Sequence, residues 1–380
     1  MSRPSGAAAI GCLLLTLVTG SGCSASPSPV PTTRAPTIAP VPTATIAESE
    51  WWRPTDAISS LASGLDSPWS VVPLPDGGAL ISQRDDGAIL ELTVESTLRT
   101  VGLVEGVVSG GESGLHGLAL LTDDGGTLLY AYFGARSDNR VERMPLLGEP
   151  GSFHLGAAEV VIDGIPRAGT HNGGRIAFGP DGYLYVTTGD AQQRDAAQDV
   201  DALGGKILRI TADGEAAPGN PWANAAWSIG HRNVQGIAWT SDGTMWASEF
   251  GQNAWDELNR IEPGANYGWP EVEGVAGRDD FIDPVAAWPT SEASPSGIAA
   301  RGGTLFVAGL RGERLWLADI RDGVLADDPV AALQGAQGRL RDVVVAADGS
   351  LWILMNNTDG RGSPRPDDDV LLRVELAPAH

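Results

Sequence analysis

From Trp51 onward the chain alternates short apolar runs with small polar turns, and one unit of this pattern returns six times. Asp76-Gly77-Gly78 precedes Ala79-Leu80-Ile81, Asp124-Gly125-Gly126 precedes Thr127-Leu128-Leu129-Tyr130, and Asp181-Gly182 precedes Tyr183-Leu184-Tyr185-Val186. Asp242-Gly243 then leads into Thr244-Met245-Trp246-Ala247, Gly302-Gly303 into Thr304-Leu305-Phe306-Val307, and Asp348-Gly349 into Ser350-Leu351-Trp352-Ile353. Asp-Gly and Gly-Gly ahead of β-rich runs are hairpin turns. The copies recur every ~45–60 residues, a period that marks propeller blades and leaves room for about four short strands each. Few segments carry a helical period long enough to compete. The pattern predicts an all-β fold, a six-bladed β-propeller with four-stranded blades. The alternative is a pair of unrelated β-sandwiches, which would not repeat one turn-and-strand unit so regularly. In a propeller the loops at one end converge on the central channel, so residues distant in sequence meet there.

The first fifty residues read differently. Arg3 supplies a positive start, and Ala7 through Val18 is apolar apart from isolated small or polar residues, too short to span a bilayer. Gly20-Ser21-Gly22-Cys23 places small residues before a cysteine, resembling a bacterial lipoprotein signal whose cysteine is lipidated, although Gly20 stands where Leu or Val is usual. An ordinary secretion signal cleaved near Ala25 is the alternative. Residues 24–50 are rich in Pro, Ser, Thr and Ala, a composition that buries no core and reads as an extended tether. The expected organisation is a signal over 1–23, a linker over 24–50 and a propeller over 51–380, with an extracytoplasmic location. Membrane attachment would run only through Cys23. The one other cysteine, Cys12, lies inside the signal, so no disulfide is available to the propeller.

Charge narrows the partners. The formal net charge is -23, and residues 1–50 hold only Arg3, Arg34, Glu48 and Glu50, so the acidity belongs to the propeller. That argues against nucleic acid or an anionic membrane as the main partner. It also makes a local arginine cluster conspicuous.

Polar residues interrupt the strand pattern in a few places. These are Gly111-Glu112-Ser113-Gly114-Leu115-His116-Gly117, Thr170-His171-Asn172-Gly173-Gly174-Arg175 and Ser228–Gly236 around His231-Arg232-Asn233. Ser248–Asn259 and Gly338-Arg339-Leu340-Arg341-Asp342 complete the set, with Arg311 in a further inter-strand stretch. Arg232, Arg311 and the pair Arg339 and Arg341 come from different predicted blades, so one channel could gather them. Guanidinium groups grip carboxylates through paired hydrogen bonds, which suggests a bound multi-anion. Taken singly, each is better explained by a surface or inter-blade ion pair; taken jointly, with His171, Glu112 and Asn233 among them, the site reading becomes comparable. Only five histidines occur, and none has zinc-ligand spacing. Asp256-Glu257 beside a Gly-containing backbone suits Ca²⁺ better, although such a pair on a turn is more often solvated charge. No P-loop, dinucleotide fingerprint or Gly-x-Ser-x-Gly elbow is present.

Together these segments resemble the soluble quinoprotein sugar dehydrogenases, the PQQ-dependent aldose sugar and glucose dehydrogenase family. The matching pieces are Gly111–Leu118, Thr170–Asp190, Leu203–Ile210, Gly230–Gly236, Asp256–Trp269 and Gly338–Asp342, in family order. The resemblance implies pyrroloquinoline quinone (PQQ) over the channel mouth with Ca²⁺ against it. It makes His171 the general base, taking the proton of the sugar's anomeric hydroxyl while hydride passes from C1 to the quinone. Glu112, Arg232, Asn233, Arg311, Arg339 and Arg341 match cofactor-binding positions. The carbonyls of Gly251 and Gln252 match ligands of the quinone-site Ca²⁺, and Asp256, Glu257 and Tyr267 match a second, structural Ca²⁺ site. Three positions depart from the family. Phe250 replaces a usual Gln or His, Gln252 a common Pro, and Glu292, where Thr is sometimes found, would add negative charge near the cofactor. The expected function is oxidation of aldose sugars to lactones, with electrons leaving to an external acceptor. Two other classes stay open: a non-catalytic cell-surface propeller binding glycan or protein, and a Ca²⁺-dependent propeller lactonase or esterase.

Overall fold

The computed structural model describes residues 51–379. The predicted signal at 1–23, Cys23 and the linker 24–50 lie outside the described residues. Six antiparallel sheets are arranged around a channel as a six-bladed β-propeller. Four sheets have four strands, and two carry a short fifth strand, His154–Leu155 in one and Val330–Ala332 or Val324–Leu325 beside the other. The innermost strands are Pro68–Pro73, Leu115–Asp123, Ile176–Phe178, Val234–Trp239, Pro295–Arg301 and Leu340–Val345. The last sheet is completed from the other end of the propeller: Trp51–Ala62 pairs with Leu371–Ala379, with Trp51 opposite Ala379.

Each blade buries both faces, which explains why its second strand reads as one apolar run and not as an alternation. Ala79–Gln83, Leu184–Thr187, Met245–Glu249, Thr304–Gly309 and Leu351–Met355 are buried at every position. The core is accordingly six apolar clusters, one in each seam between neighbouring blades. The seam that closes the ring packs Val71, Ala79 and Ile81 against Trp352, Leu354 and Leu371.

The repeated turn joins the innermost strand of each blade to the second. In four copies an aspartate oxygen accepts the N–H two residues on: Asp76 from Gly78, Asp181 from Tyr183, Asp242 from Thr244 and Asp348 from Ser350. This local side-chain bond replaces a backbone one. The glycine between is left-handed, φ 98° at Gly77 and 80° at Gly182, which is why glycine recurs there. In the second copy the accepting residue is Asp123, one earlier than the sequence pattern suggested. All six turns lie at one end of the channel, so the loops between blades gather at the other.

Candidate functional site

At that other end, where the innermost strands begin, two adjoining cavities of about 350 and 340 Å³ form one basin. Glu112, Phe250, Ser294 and Arg311 line both halves. One half also holds Arg84, Arg339, Arg341, Asp359 and Arg361 over a floor of Trp69 and Gln235. The other holds His171, Arg232, Asn233, Gly251, Gln252 and Asp256. Ring closure thus brings together ten of the twelve residues singled out in the sequence.

His171 has the left-handed φ of 59° in a turn that continues through Gly173 and Gly174. A Cβ at Gly174 would lie 2.5 Å from His116 Nδ1, so glycine is required for that close approach. The turn is pinned from both sides, His171 N–H donating to Glu112 Oε2 at 2.9 Å and Gly173 N–H to Asn233 Oδ1 at 2.9 Å. The His171 ring is bonded at both nitrogens. Nδ1 is 2.7 Å from Asp190 Oδ1, and Nε2 is 2.7 Å from Arg232 Nη2. A guanidinium only donates, so Nε2 is the acceptor and the ring proton sits on Nδ1, facing Asp190.

Asp190 is fully buried. Burial favours its neutral form, but the bonds from His171, the Gln192 N–H and the Trp269 indole outweigh it and hold its carboxyl below the usual carboxylate range.

On the opposite wall Arg339 Nη2 donates to Asp359 Oδ2 at 2.7 Å, and Arg341 Nη2 approaches the same oxygen at 3.7 Å. Arg341 Nη1 also donates to Gln235 at 2.8 Å. Burial, with Arg339 and Arg84 nearby, pushes Arg341 down to about 9 despite the attraction of Asp359. On the basin walls two buried donors, Arg341 Nε and Asn233 Nδ2, find no acceptor among the described residues. Arg311 forms no ion pair among the described residues, and Arg361 reaches Glu112 across the mouth at 2.7 Å. A basin with this many guanidinia and orphaned donors is built for an anion rich in acceptor oxygens.

The loop from Gly251 to Trp255 wraps one carboxylate. Glu273 Oε1 accepts the N–H groups of Gln252, Asn253, Ala254 and Trp255. In a trans peptide the C=O points opposite to the N–H. The carbonyls of Gly251 and Gln252 therefore turn away from Glu273, on a loop that lines the basin.

Asp256 and Glu257 do not act as a pair. They are consecutive in the strand Trp255–Ile261, so their side chains leave on opposite faces. Asp256 accepts N–H groups from Gly251 and Ser294, and burial pushes it up to about 6. Glu257 faces a small cavity shared with Glu249, Gly251 and Tyr267, where burial and the Glu249 charge raise its carboxyl well above the usual range. The Tyr267 hydroxyl donates to the Arg260 carbonyl, so only its backbone and ring remain for that cavity. Among the described residues no three His, Cys, Asp or Glu side chains converge as a metal site. Any cation at the basin would be held largely by carbonyl oxygens. Glu292 faces Arg314 at 4.0 Å and is half exposed, so its charge does not enter the basin as the sequence suggested.

Sequence reasoning missed Asp190, Arg84, Asp359, Arg361, Glu249 and Glu273. Asp190 had a usable signal: it ends the run Thr187-Thr188-Gly189-Asp190, immediately after a second strand and hence at the loop-bearing end.

The chain is similar in sequence and fold to several known proteins. A PQQ-bound aldose sugar dehydrogenase from Streptomyces coelicolor is 48% identical, covers 86% of this chain and 100% of its own, and superposes with a TM-score of 0.81. A putative oxidoreductase (glucose dehydrogenase) from Thermus thermophilus is 42% identical, with 84% of this chain and 99% of that one covered and a TM-score of 0.77. The aldose sugar dehydrogenase YliI of Escherichia coli is 28% identical over 86% of this chain and 98% of its own. The glucose/sorbosone dehydrogenase family model matches residues 65–373, nearly the whole propeller. With its arginine-lined basin and a histidine held by a buried aspartate, the chain belongs to that family of oxidoreductases.

Proposed function

We propose that the protein is a PQQ- and Ca²⁺-dependent dehydrogenase that oxidises aldose sugars to lactones. The observation that carries this reading is the orientation of His171. Its Nδ1–H is committed to Asp190, so Nε2 is the basic nitrogen; it lies in the half of the basin that adjoins the arginines and accepts from Arg232 until a sugar hydroxyl takes that place. Those arginines and the orphaned donors of Arg341 and Asn233 suit the three carboxylates of PQQ. When bound, PQQ supplies the two-electron acceptor and Ca²⁺ makes it more electrophilic.

The chain's own residues supply the rest. Arg339, Arg341 and Arg311 would bind and orient the anion, with Asn233 donating from the opposite wall. The Gly251 and Gln252 carbonyls would hold the cation. A second cation would sit against Glu257 and the Tyr267 backbone, offsetting the repulsion between Glu257 and Glu249; Asp256, on the other face, takes no part in that second site. His171 Nε2 takes the proton from the anomeric hydroxyl as the C1 hydride departs. Asp190 holds the ring in the required tautomer and offsets the positive charge that forms on it. A positioned base of this kind contributes ~10²–10⁴-fold to rate. The lactone leaves, and the electrons pass to an external acceptor. Cys23 supports a lipid anchor on the outer face of the cell membrane, which a Cys23→Ser substitution with membrane fractionation tests.

The experiment adds PQQ and Ca²⁺ to the purified apo-protein and follows sugar-dependent dye reduction. The expected result is turnover that needs both additions, and a His171→Ala variant that still binds PQQ but loses most activity. Turnover surviving intact in His171→Ala refutes the base assignment. Lactone hydrolysis with Ca²⁺ alone would favour the hydrolase reading instead.

A further inference from the structure

Arg232 commits its guanidinium to three protein partners. Nε donates to Gln252 Oε1 at 2.9 Å, Nη1 to the Phe250 carbonyl at 2.9 Å and Nη2 to His171 Nε2 at 2.7 Å. Its plane lies near the ring of Trp269, 5.5 Å from the centroid, and burial holds its pKa below the ordinary value. Three of the five N–H bonds of a guanidinium are thereby used. The contact with His171 matters most, because it lands on the lone pair that would accept the substrate's proton.

The place of that guanidinium depends on what anchors its near end. The carbonyl of Phe250 holds one terminal nitrogen, and a group held there alone pivots about that contact. The Gln252 bond at Nε removes the pivot and fixes where Nη2 falls. Gln252 belongs to the loop wrapped around Glu273, which lines the basin and turns its carbonyls away from that carboxylate. Its backbone and its side chain therefore address different partners. A proline at this place would offer no side-chain acceptor for Nε.

We infer that Gln252 is a positioning residue whose amide oxygen fixes Arg232 against Nε2 of His171, tying the cation-binding loop to the base. The effect on turnover rests on the dehydrogenase reading; the geometry does not. The test uses the full-length protein with Gln252→Met, similar in length but without the acceptor, and Gln252→Glu, which keeps one. In cofactor-free protein, heteronuclear NMR follows solvent exchange of the Arg232 Nε–H. Exchange in Gln252→Met is expected to quicken ~10–100-fold, the range for losing a hydrogen bond to a charged group, while Gln252→Glu retains protection. With PQQ and Ca²⁺ bound, kcat in Gln252→Met falls roughly 10-fold with KM nearly unchanged, and Gln252→Glu restores it. Unchanged Nε–H exchange in Gln252→Met overturns the inference. That measurement needs no cofactor, so it stands apart from whether the loaded protein oxidises sugar.

Discussion

Replacing Asp190 by asparagine tests the base most directly. Asp190 Oδ1 accepts from His171 Nδ1 at 2.7 Å and from the Gln192 N–H at 2.8 Å, and Oδ2 accepts from Trp269 Nε1 at 2.9 Å. Asparagine offers one oxygen. If that oxygen stays on His171 and Gln192, the new amide N–H₂ opposes the indole N–H. If the oxygen turns to Trp269, the amide N–H₂ instead opposes the ring N–H of His171 and drives the proton to Nε2, against the Arg232 donor. Either way a buried donor is left without an acceptor, and the imidazolium formed during turnover loses its neighbouring anion. Losing one hydrogen bond to a charged group is worth about 1.5–3 kcal/mol, which corresponds to a ~10–150-fold fall in kcat. The fall should appear in kcat more than in KM, because the charge develops after sugar binds. The assay is dye reduction by reconstituted Asp190→Asn, with PQQ affinity measured separately by tryptophan fluorescence. A kcat close to the parent's at full cofactor occupancy would refute the pairing of Asp190 with the base.

Other expectations follow from the same contacts. Arg341→Met should weaken PQQ binding ~10–100-fold in a fluorescence titration while leaving the fold intact, since Arg339 keeps its bond to Asp359. Lys206, the chain's only lysine, is buried and donates to the carbonyls of Ala196, Ala197 and Gly204. Lys206→Met strands all three and should cost about 3 kcal/mol or more, read as a lower denaturant midpoint. Because the folded pKa of Asp190 lies below its unfolded value, its stabilisation is complete above pH ~4 and fades as pH falls through the folded value. Asp190→Asn should therefore flatten the acid side of the stability profile followed by circular dichroism.

Much of the fold is legible in the sequence because its strongest signal is local. Each Asp-Gly turn is closed by a bond spanning two residues, and most second strands are buried along their whole length because both faces are covered. Arg339 and Arg341 were legible for a similar reason: two arginines bracket one leucine at the start of a strand. Their partner Asp359 was not, since it comes from the loop beyond the following strand and meets them only when the blade is folded. Arg361 meets Glu112 only across the closed ring. The twofold alternation of a strand already separated Asp256 from Glu257, although the resemblance grouped them as ligands of one site. Glu292 looked close to the basin by its place in the sequence, yet its side chain turned to Arg314.

The blade completed by Trp51–Ala62 carries a kinetic consequence. That strand is the first of the propeller to leave the ribosome, and its partner Leu371–Ala379 is among the last. Until the final residues emerge, the outer edge of the sixth sheet has nothing to pair with, and the seam between first and last blades stays open. A nascent propeller must therefore carry an exposed apolar flank through almost its entire synthesis, so truncation near the C-terminus should yield insoluble chains and not smaller stable ones.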